Sequence, residues 1–159
     1  MKKPNLSEMA LAAEILGGVA VVVTLVFLVL ATRENTNAIQ AQTYQALTSE
    51  LNAIRLAYST SDVPDSYVLL STKGIQALSD AARARMQFVA EAKWGVYESA
   101  FFSRNRGVLG EDEWARFESA ICRNLAIDES MWEPEDTQWG SLARNITPKF
   151  REFVEQKCL

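Results

Sequence analysis

The sequence predicts an all-α protein in which an N-terminal transmembrane helix continues into a stalk helix and is followed by a small helical bundle. Three observations lead to this prediction. Residues 15–32 are 18 consecutive positions without a charged side chain. Residues 33–59 contain neither glycine nor proline, so nothing interrupts a helix there. The rest of the chain places apolar residues at helical spacing and shows no useful strand alternation.

Composition narrows the possible chemistry. The chain has 159 residues, is 48% apolar and carries a net charge of −4, which gives no electrostatic case for nucleic-acid binding. It contains no histidine, which excludes Ser-His-Asp and Cys-His catalysis, His-ligated zinc and His-held haem. No phosphate-binding glycine loop is present either. We therefore expect no catalytic residues, no cofactor and no metal site.

The apolar segment has the length of a membrane span. At 1.5 Å per residue, 18 helical residues reach about 27 Å, close to the roughly 30 Å of a bilayer core. A backbone in lipid must satisfy its own hydrogen bonds, which favours a helix despite the many valines. We therefore expect the chain to divide into four parts: an N-terminal flank 1–8, a transmembrane helix 9–32, a juxtamembrane stalk helix 33–60 and a helical domain 61–159.

Two other interpretations of the apolar segment exist. Val29-Leu30-Ala31 fits the small-residue pattern of a signal-peptide cleavage site. A buried core helix is the second alternative, although few soluble domains of this size cover 18 residues on every face. The length of the stretch favours a retained anchor over both.

Flanking charges and cysteines bear on membrane orientation. Lys2 and Lys3 precede the span and Arg33 alone follows closely, which favours a cytoplasmic N-terminus. Cys122 and Cys158 both lie in the extramembrane part. They would form a disulfide in an oxidising compartment and remain two thiols in a reducing one, and the sequence leaves both states open.

One face of the predicted span carries small residues. Ala13 and Gly17 are four residues apart and Ala10 lies one turn before them, a spacing that lets a second helix approach closely. Glu14 lies near the same end, where it either supports assembly or is tolerated by the helix N-terminus and the nearby interface. We expect a helix–helix interface here, in a homo-oligomer or a larger membrane complex. The alternative is that alanine and glycine are simply common in membrane helices.

Capping signals set the expected elements of the domain. Prolines and N-cap residues precede apolar residues at helical spacing, and glycines follow them. The expected order is a turn at Asp62–Pro64, a short helix to about Thr72, a long helix from Ser79 to Gly107, a helix opening with Glu111-Asp112-Glu113, an acidic loop Asp128–Asp136, a short helix around Trp139–Ile146, and a last helix capped by Thr147 with Pro148 at its first position.

Carboxylates and aromatic rings are the remaining candidates for function. Glu91 and Glu98 are seven apart and could share a helix face, but metal bundles of that kind also need histidine. An enzyme would need a buried carboxylate cluster, for which Glu91, Glu98 and Glu118 are the first candidates. Solvated or ion-paired acids are favoured. The aromatic side chains are expected mostly in the core, the alternative being an exposed patch that contacts a partner. They are Trp94, Tyr97, Phe101, Phe102, Trp114, Phe117, Trp132, Trp139, Phe150 and Phe153.

Several short motifs occur along the chain in a fixed order. They are Ala13-Glu14-Ile15 with Val19–Leu28, Arg33-Glu34-Asn35-Thr36, Thr43-Tyr44-Gln45-Ala46, Val96-Tyr97-Glu98 with Phe101, Gly107-Val108-Leu109 leading to Trp114, and Phe150-Arg151-Glu152-Phe153-Val154. Together they resemble a widespread group of small bacterial single-pass membrane-anchored helical proteins, over most of the chain except 128–136. The resemblance implies the bacterial inner membrane. That group is functionally uncharacterised, so it supplies no catalytic residues. Similar proteins are more basic after the span than Thr36–Gln42, which implies a cytoplasmic domain and leaves the orientation open.

These observations favour a non-enzymatic single-pass membrane protein, an accessory or structural subunit of a membrane complex or a homo-oligomer. The alternative is a membrane-anchored ligand-binding or stress-sensing domain with a pocket between its aromatic helices.

Overall fold

The structure, a computed structural model, describes residues 6–131 and 143–159. Every regular element within those two ranges is helical, which confirms the predicted all-α class of a long N-terminal helix and a following bundle. The elements in chain order are α1 (Leu6–Ser59), α2 (Val63–Lys73), a short 3₁₀ helix (Ile75–Ala77), α3 (Asp80–Asn105), α4 (Glu111–Met131) and α5 (Pro148–Cys158). The chain forms two compact units, one up to Ile39 and one from Gln40 to Leu159.

The first unit is the apolar part of α1. Its most apolar 18-residue window has a mean hydropathy of 2.7, and none of it is buried by the other residues that the structure describes. Hydroxyl groups inside this segment donate back along the helix, from Thr24 to the Ala20 carbonyl and from Thr32 to the Leu28 carbonyl, each at 2.8 Å. These bonds satisfy two polar groups without an external partner.

The second unit is organised around a cluster of rings contributed by α3, α4 and α5. Phe101 lies 5.5 Å from Phe150 and 5.1 Å from Phe153 between ring centroids, and Trp94 meets Phe150 at 6.3 Å. Leu47 of α1 is buried against the same cluster. The expectation that the aromatics form the core is confirmed for those in the described ranges, whereas Trp132 and Trp139 lie outside them.

A smaller apolar cluster is built by α2, the 3₁₀ helix and the beginning of α3. Its buried members are Val63, Leu70, Ile75, Leu78, Ala82 and Met86. The α2 helix ends where Gly74 adopts a φ of +77°, a left-handed conformation that favours glycine. Ser79 begins α3 as predicted, since its hydroxyl accepts a hydrogen bond from the Ala82 amide at 3.2 Å.

Three details differ from the expected elements. The α4 helix continues to Met131, so the first residues of the predicted acidic loop are helical. No glycine or proline lies between Glu111 and Met131, and the acids alone do not end the helix. Residues 143–145 form a turn. The remainder of the predicted acidic loop and the first half of the predicted short helix fall in 132–142, outside the described residues. Thr147 stands at the N-cap of α5 with Pro148 after it, but its side chain makes no capping hydrogen bond.

Candidate functional site

The small-residue face lies in the exposed apolar part of α1. Ala10, Ala13, Glu14 and Gly17 are all exposed, and their spacing places them on one side of the helix, within about 100° of arc at 100° per residue. A Cβ added at Gly17 or Gly18 would meet no atom within 4 Å. The face is therefore open to a second helix, and its role as an interface stays a prediction.

The two cysteines form a disulfide between α4 and α5. The Cα atoms of Cys122 and Cys158 lie 4.9 Å apart, and the two residues are separated by 36 positions in the sequence. The bridge lies beside the ion pair between Lys157 Nζ and Glu118 Oε1, at 2.9 Å, which joins the same two helices. Of the two states that the sequence leaves open, the structure has the oxidised one.

The three candidate carboxylates each have a structural partner. Glu91 Oε1 accepts hydrogen bonds from Gln87 Nε2 at 3.0 Å and from Asn145 Nδ2 at 3.2 Å. Glu98 Oε1 accepts one from the Thr147 amide at 2.7 Å.

These contacts fix the turn before α5 against α3. Glu91 and Glu98 also line one small cavity of about 200 Å³, as their shared helix face predicts. Glu118 does not line it; this residue lies on α4 and pairs with Lys157 of α5. Within residues 6–131 and 143–159, no group of three acidic, cysteine or histidine side chains could hold a metal ion.

A larger cavity opens where the two apolar clusters of the domain meet. Its volume is about 310 Å³, at the lower end of the range for small-molecule pockets. Tyr58, Tyr67 and Tyr97 contribute its rings, and Leu51, Ile54 and Val89 its aliphatic surface. We call this space the aromatic cavity.

Polar groups occupy one side of the aromatic cavity. Asn124 connects two helices there, since its Nδ2 donates to the Tyr97 hydroxyl at 3.0 Å while its Oδ1 accepts from Lys93 Nζ at 3.4 Å. Arg55 completes the lining. Burial raises the pKa of the Tyr58 hydroxyl above its usual value. The cavity thus combines apolar walls with hydrogen-bonding groups.

The sequence does not reveal this cavity. Its lining comes from four helices, and residues as far apart in sequence as Tyr58 and Asn124 meet there. The periodicity of a single helix cannot predict such a contact. One partial signal is present: Leu51, Ile54 and Tyr58 recur at helical spacing on α1, which predicts an inward face but no pocket.

No family model matches the chain, and no curated protein or solved structure matches it.

Proposed function

We propose that this chain is a non-enzymatic single-pass membrane protein that displays a disulfide-stabilised helical domain on the oxidising side of a bacterial inner membrane. Its anchor associates with another transmembrane helix, in a homo-oligomer or in a larger complex. The observation that carries the proposal is the apolar stretch of α1, which is long enough to cross a bilayer and is left exposed by residues 6–131 and 143–159.

The disulfide supports one of the two orientations. Bridges persist in oxidising compartments and are rare in the cytosol, so a bridge between Cys122 and Cys158 favours a domain outside the cytoplasm. Lys2 and Lys3 before the span favour the same arrangement through the positive-inside rule. Two independent properties therefore agree, and both oppose the cytoplasmic domain that the family resemblance implies.

A topology experiment tests anchoring and orientation together. The full chain carries a reporter, fused after Leu159, that is active only on the oxidising side, and membranes are extracted with alkaline carbonate. We expect an active reporter, a protein that stays with the membrane, and a mass that includes residues 1–31. Release by carbonate would contradict the anchor, an inactive reporter would contradict the orientation, and cleavage after Ala31 would identify a signal peptide instead.

Assembly through the small-residue face has its own test. Gly17→Ile places a branched side chain where close approach is proposed, and we expect it to reduce cross-linked species in native membranes. Ala12→Ile is the matched control, because Ala12 lies about 200° around the helix from Ala10. Equal cross-linking in both variants and in the unmodified chain would contradict the interface.

A second candidate function, ligand binding by the domain, is favoured by the aromatic cavity. The probe is p-cresol, which offers a ring and one hydroxyl to a cavity of about 310 Å³. A ligand that binds only the folded state stabilises it by RT ln(1 + L/Kd), where L is the free ligand concentration, so the unfolding temperature rises with ligand concentration. We expect Val89→Trp, which fills the cavity, to abolish that rise, and Val68→Trp, at an exposed position on α2, to preserve it. No rise with the unmodified chain would contradict this function.

A further inference from the structure

A second depression lies between α1 and α4 on the domain, beside the aromatic cavity. It has a volume of about 350 Å³ and shares only Leu51 and Arg55 with that cavity. Three arginines line it: Arg55 from α1, and Arg116 and Arg123 from α4. We call it the arginine groove. None of the described residues that line it is acidic, although the chain as a whole carries a net charge of −4.

Three arginines outside the groove have carboxylate partners. Arg83 pairs with Asp80 at 2.6 Å, and Arg85 pairs with Asp62 at 2.8 Å. Arg104 pairs with Glu111 at 3.4 Å. None of the three groove arginines forms an ion pair with a carboxylate in the part of the chain that the structure describes, so three positive charges without an acidic partner line this one depression.

Neutral groups orient two of the three guanidinium groups. Arg116 Nη1 donates to the Tyr44 hydroxyl at 3.0 Å, a contact that joins α4 to α1. Arg55 Nη1 donates to Asn52 Oδ1 at 3.2 Å. Each partner fixes a guanidinium without neutralising its charge. Such positioning reduces the conformational entropy that these side chains lose when a ligand binds.

The base of the groove is apolar. Leu51 and Ala120 are partly buried, and Phe117 is a buried member of the main core whose ring meets Tyr44 edge-on at 6.3 Å. Thr48 adds a hydroxyl to the same lining, and that hydroxyl donates to the Tyr44 carbonyl at 2.7 Å. The groove therefore presents hydrophobic surface beneath several positive charges.

We propose that the arginine groove binds a small organic oxyanion, with its charged group on the arginines and its apolar body on Leu51, Phe117 and Ala120. Guanidinium groups match the geometry of carboxylate and phosphate oxygens and form strong charge-assisted hydrogen bonds with them. The volume suits one ring or a short alkyl chain. The site does not depend on the membrane topology, because all of its residues belong to the unit from Gln40 to Leu159.

Isothermal titration calorimetry on the full chain, in nanodiscs of phosphatidylcholine, tests the proposal. The probes are phenyl phosphate, benzoate, inorganic phosphate and the neutral benzyl alcohol, all soluble in water. We expect an aromatic anion to bind more tightly than inorganic phosphate, and any binding of benzyl alcohol, which could enter the aromatic cavity, to be unaffected by substitution of the groove arginines. Binding of phenyl phosphate alone or benzoate alone supports the site and identifies its preferred oxyanion. Affinity should fall as the NaCl concentration rises, since the charges are exposed.

Single substitutions assign the binding to the groove. Arg116→Gln and Arg123→Gln should each weaken binding of the anion about tenfold, the loss typical of one charge-assisted hydrogen bond. Arg123 is exposed and forms no hydrogen bond or ion pair with the described residues, so its replacement should leave the packing intact. Arg151→Gln on α5 removes an exposed arginine outside the groove and should leave affinity unchanged. The proposal is overturned if neither aromatic anion binds at millimolar concentration, or if all three variants bind alike.

Discussion

The α1 helix contains two regions that share a backbone conformation and differ in how they bury their side chains. In the apolar stretch, Phe27 is 73% exposed and Leu16 is 70% exposed. Beyond Gln40 the same helix has one face in the domain core, where Leu47 is only 6% exposed and Tyr44, Leu51 and Ile54 pack against it. The first region is apolar on every side, whereas the second is apolar on one.

This difference indicates which solvent each region requires. A helix that is apolar all round is stable only where every face is covered, by protein or by lipid. A helix with a single apolar stripe is stable with its other faces in water. The described chain covers the stripe and leaves the other region uncovered, so the environment that completes the fold must differ between them.

The largest expected effect comes from placing charge in the uncovered region. Val22→Asp with Leu25→Asp should abolish membrane retention after carbonate extraction, since each aspartate at the centre of a span costs about 3 kcal/mol. The matched control makes the same two changes at exposed domain positions, Val68→Asp with Leu56→Asp, which should stay in the membrane. Equal retention of both double variants would remove the distinction between the two regions.

Within the domain, a pair of phenylalanines separates buried from exposed surface. Phe150 is fully buried among the rings of the main cluster, whereas Phe88 on α3 is 69% exposed. Phe150→Ala should lower the free energy of unfolding by about 3–5 kcal/mol, and Phe88→Ala should change it by about 0.5 kcal/mol or less. Urea denaturation followed by tryptophan fluorescence measures both, and similar losses would show that the ring cluster is not the core.

Removal of the disulfide should lower the free energy of unfolding slightly less than Phe150→Ala does. Replacing both Cys122 and Cys158 with serine releases a loop of 36 residues, for which loop-closure entropy predicts a loss of about 3–4 kcal/mol. The same denaturation assay applies. A reductant should destabilise the unmodified chain by a similar amount and leave the double variant unchanged. A reductant without effect on the unmodified chain would contradict a stabilising bridge.

The smallest expected effect compares two helix caps. Ser79→Ala removes the hydroxyl that accepts from the Ala82 amide, which should cost about 1 kcal/mol. Thr147→Ala removes a side chain that makes no capping bond to α5, so a change of a few tenths of a kcal/mol is expected from the typical range of surface substitutions. An equal loss in the two variants would mean that the Ser79 hydroxyl does not stabilise α3.

Local signals explain how much of the fold was predictable. The absence of glycine and proline from 33–59 predicted an unbroken α1, and Ser79 predicted the start of α3. The predicted end of α4, before Asp128, was wrong because acids near a helix C-terminus oppose the helix dipole by only a fraction of a kcal/mol. That penalty does not stop a helix in which no residue breaks the backbone before Met131.

The candidate sites were much less predictable. Arg116 and Arg123 are seven apart, so their shared helix face is visible in the sequence. Their proximity to Arg55 is not, because it depends on how α1 packs against α4 across more than 60 residues of chain. The pairing of Cys122 with Cys158 was open for a related reason, since the sequence does not specify the compartment that oxidises them.

The division of the domain into two apolar clusters bears on its local unfolding. Among the described residues, the smaller cluster has six buried members and the main one fifteen. Detaching α2 exposes few apolar groups, so its amides should exchange with deuterated solvent at a lower free energy than those of α3 around Trp94. The aromatic cavity lies where the clusters meet, with Tyr67 on one side and Tyr97 on the other. Detachment of α2 would therefore remove the Tyr67 wall of the aromatic cavity.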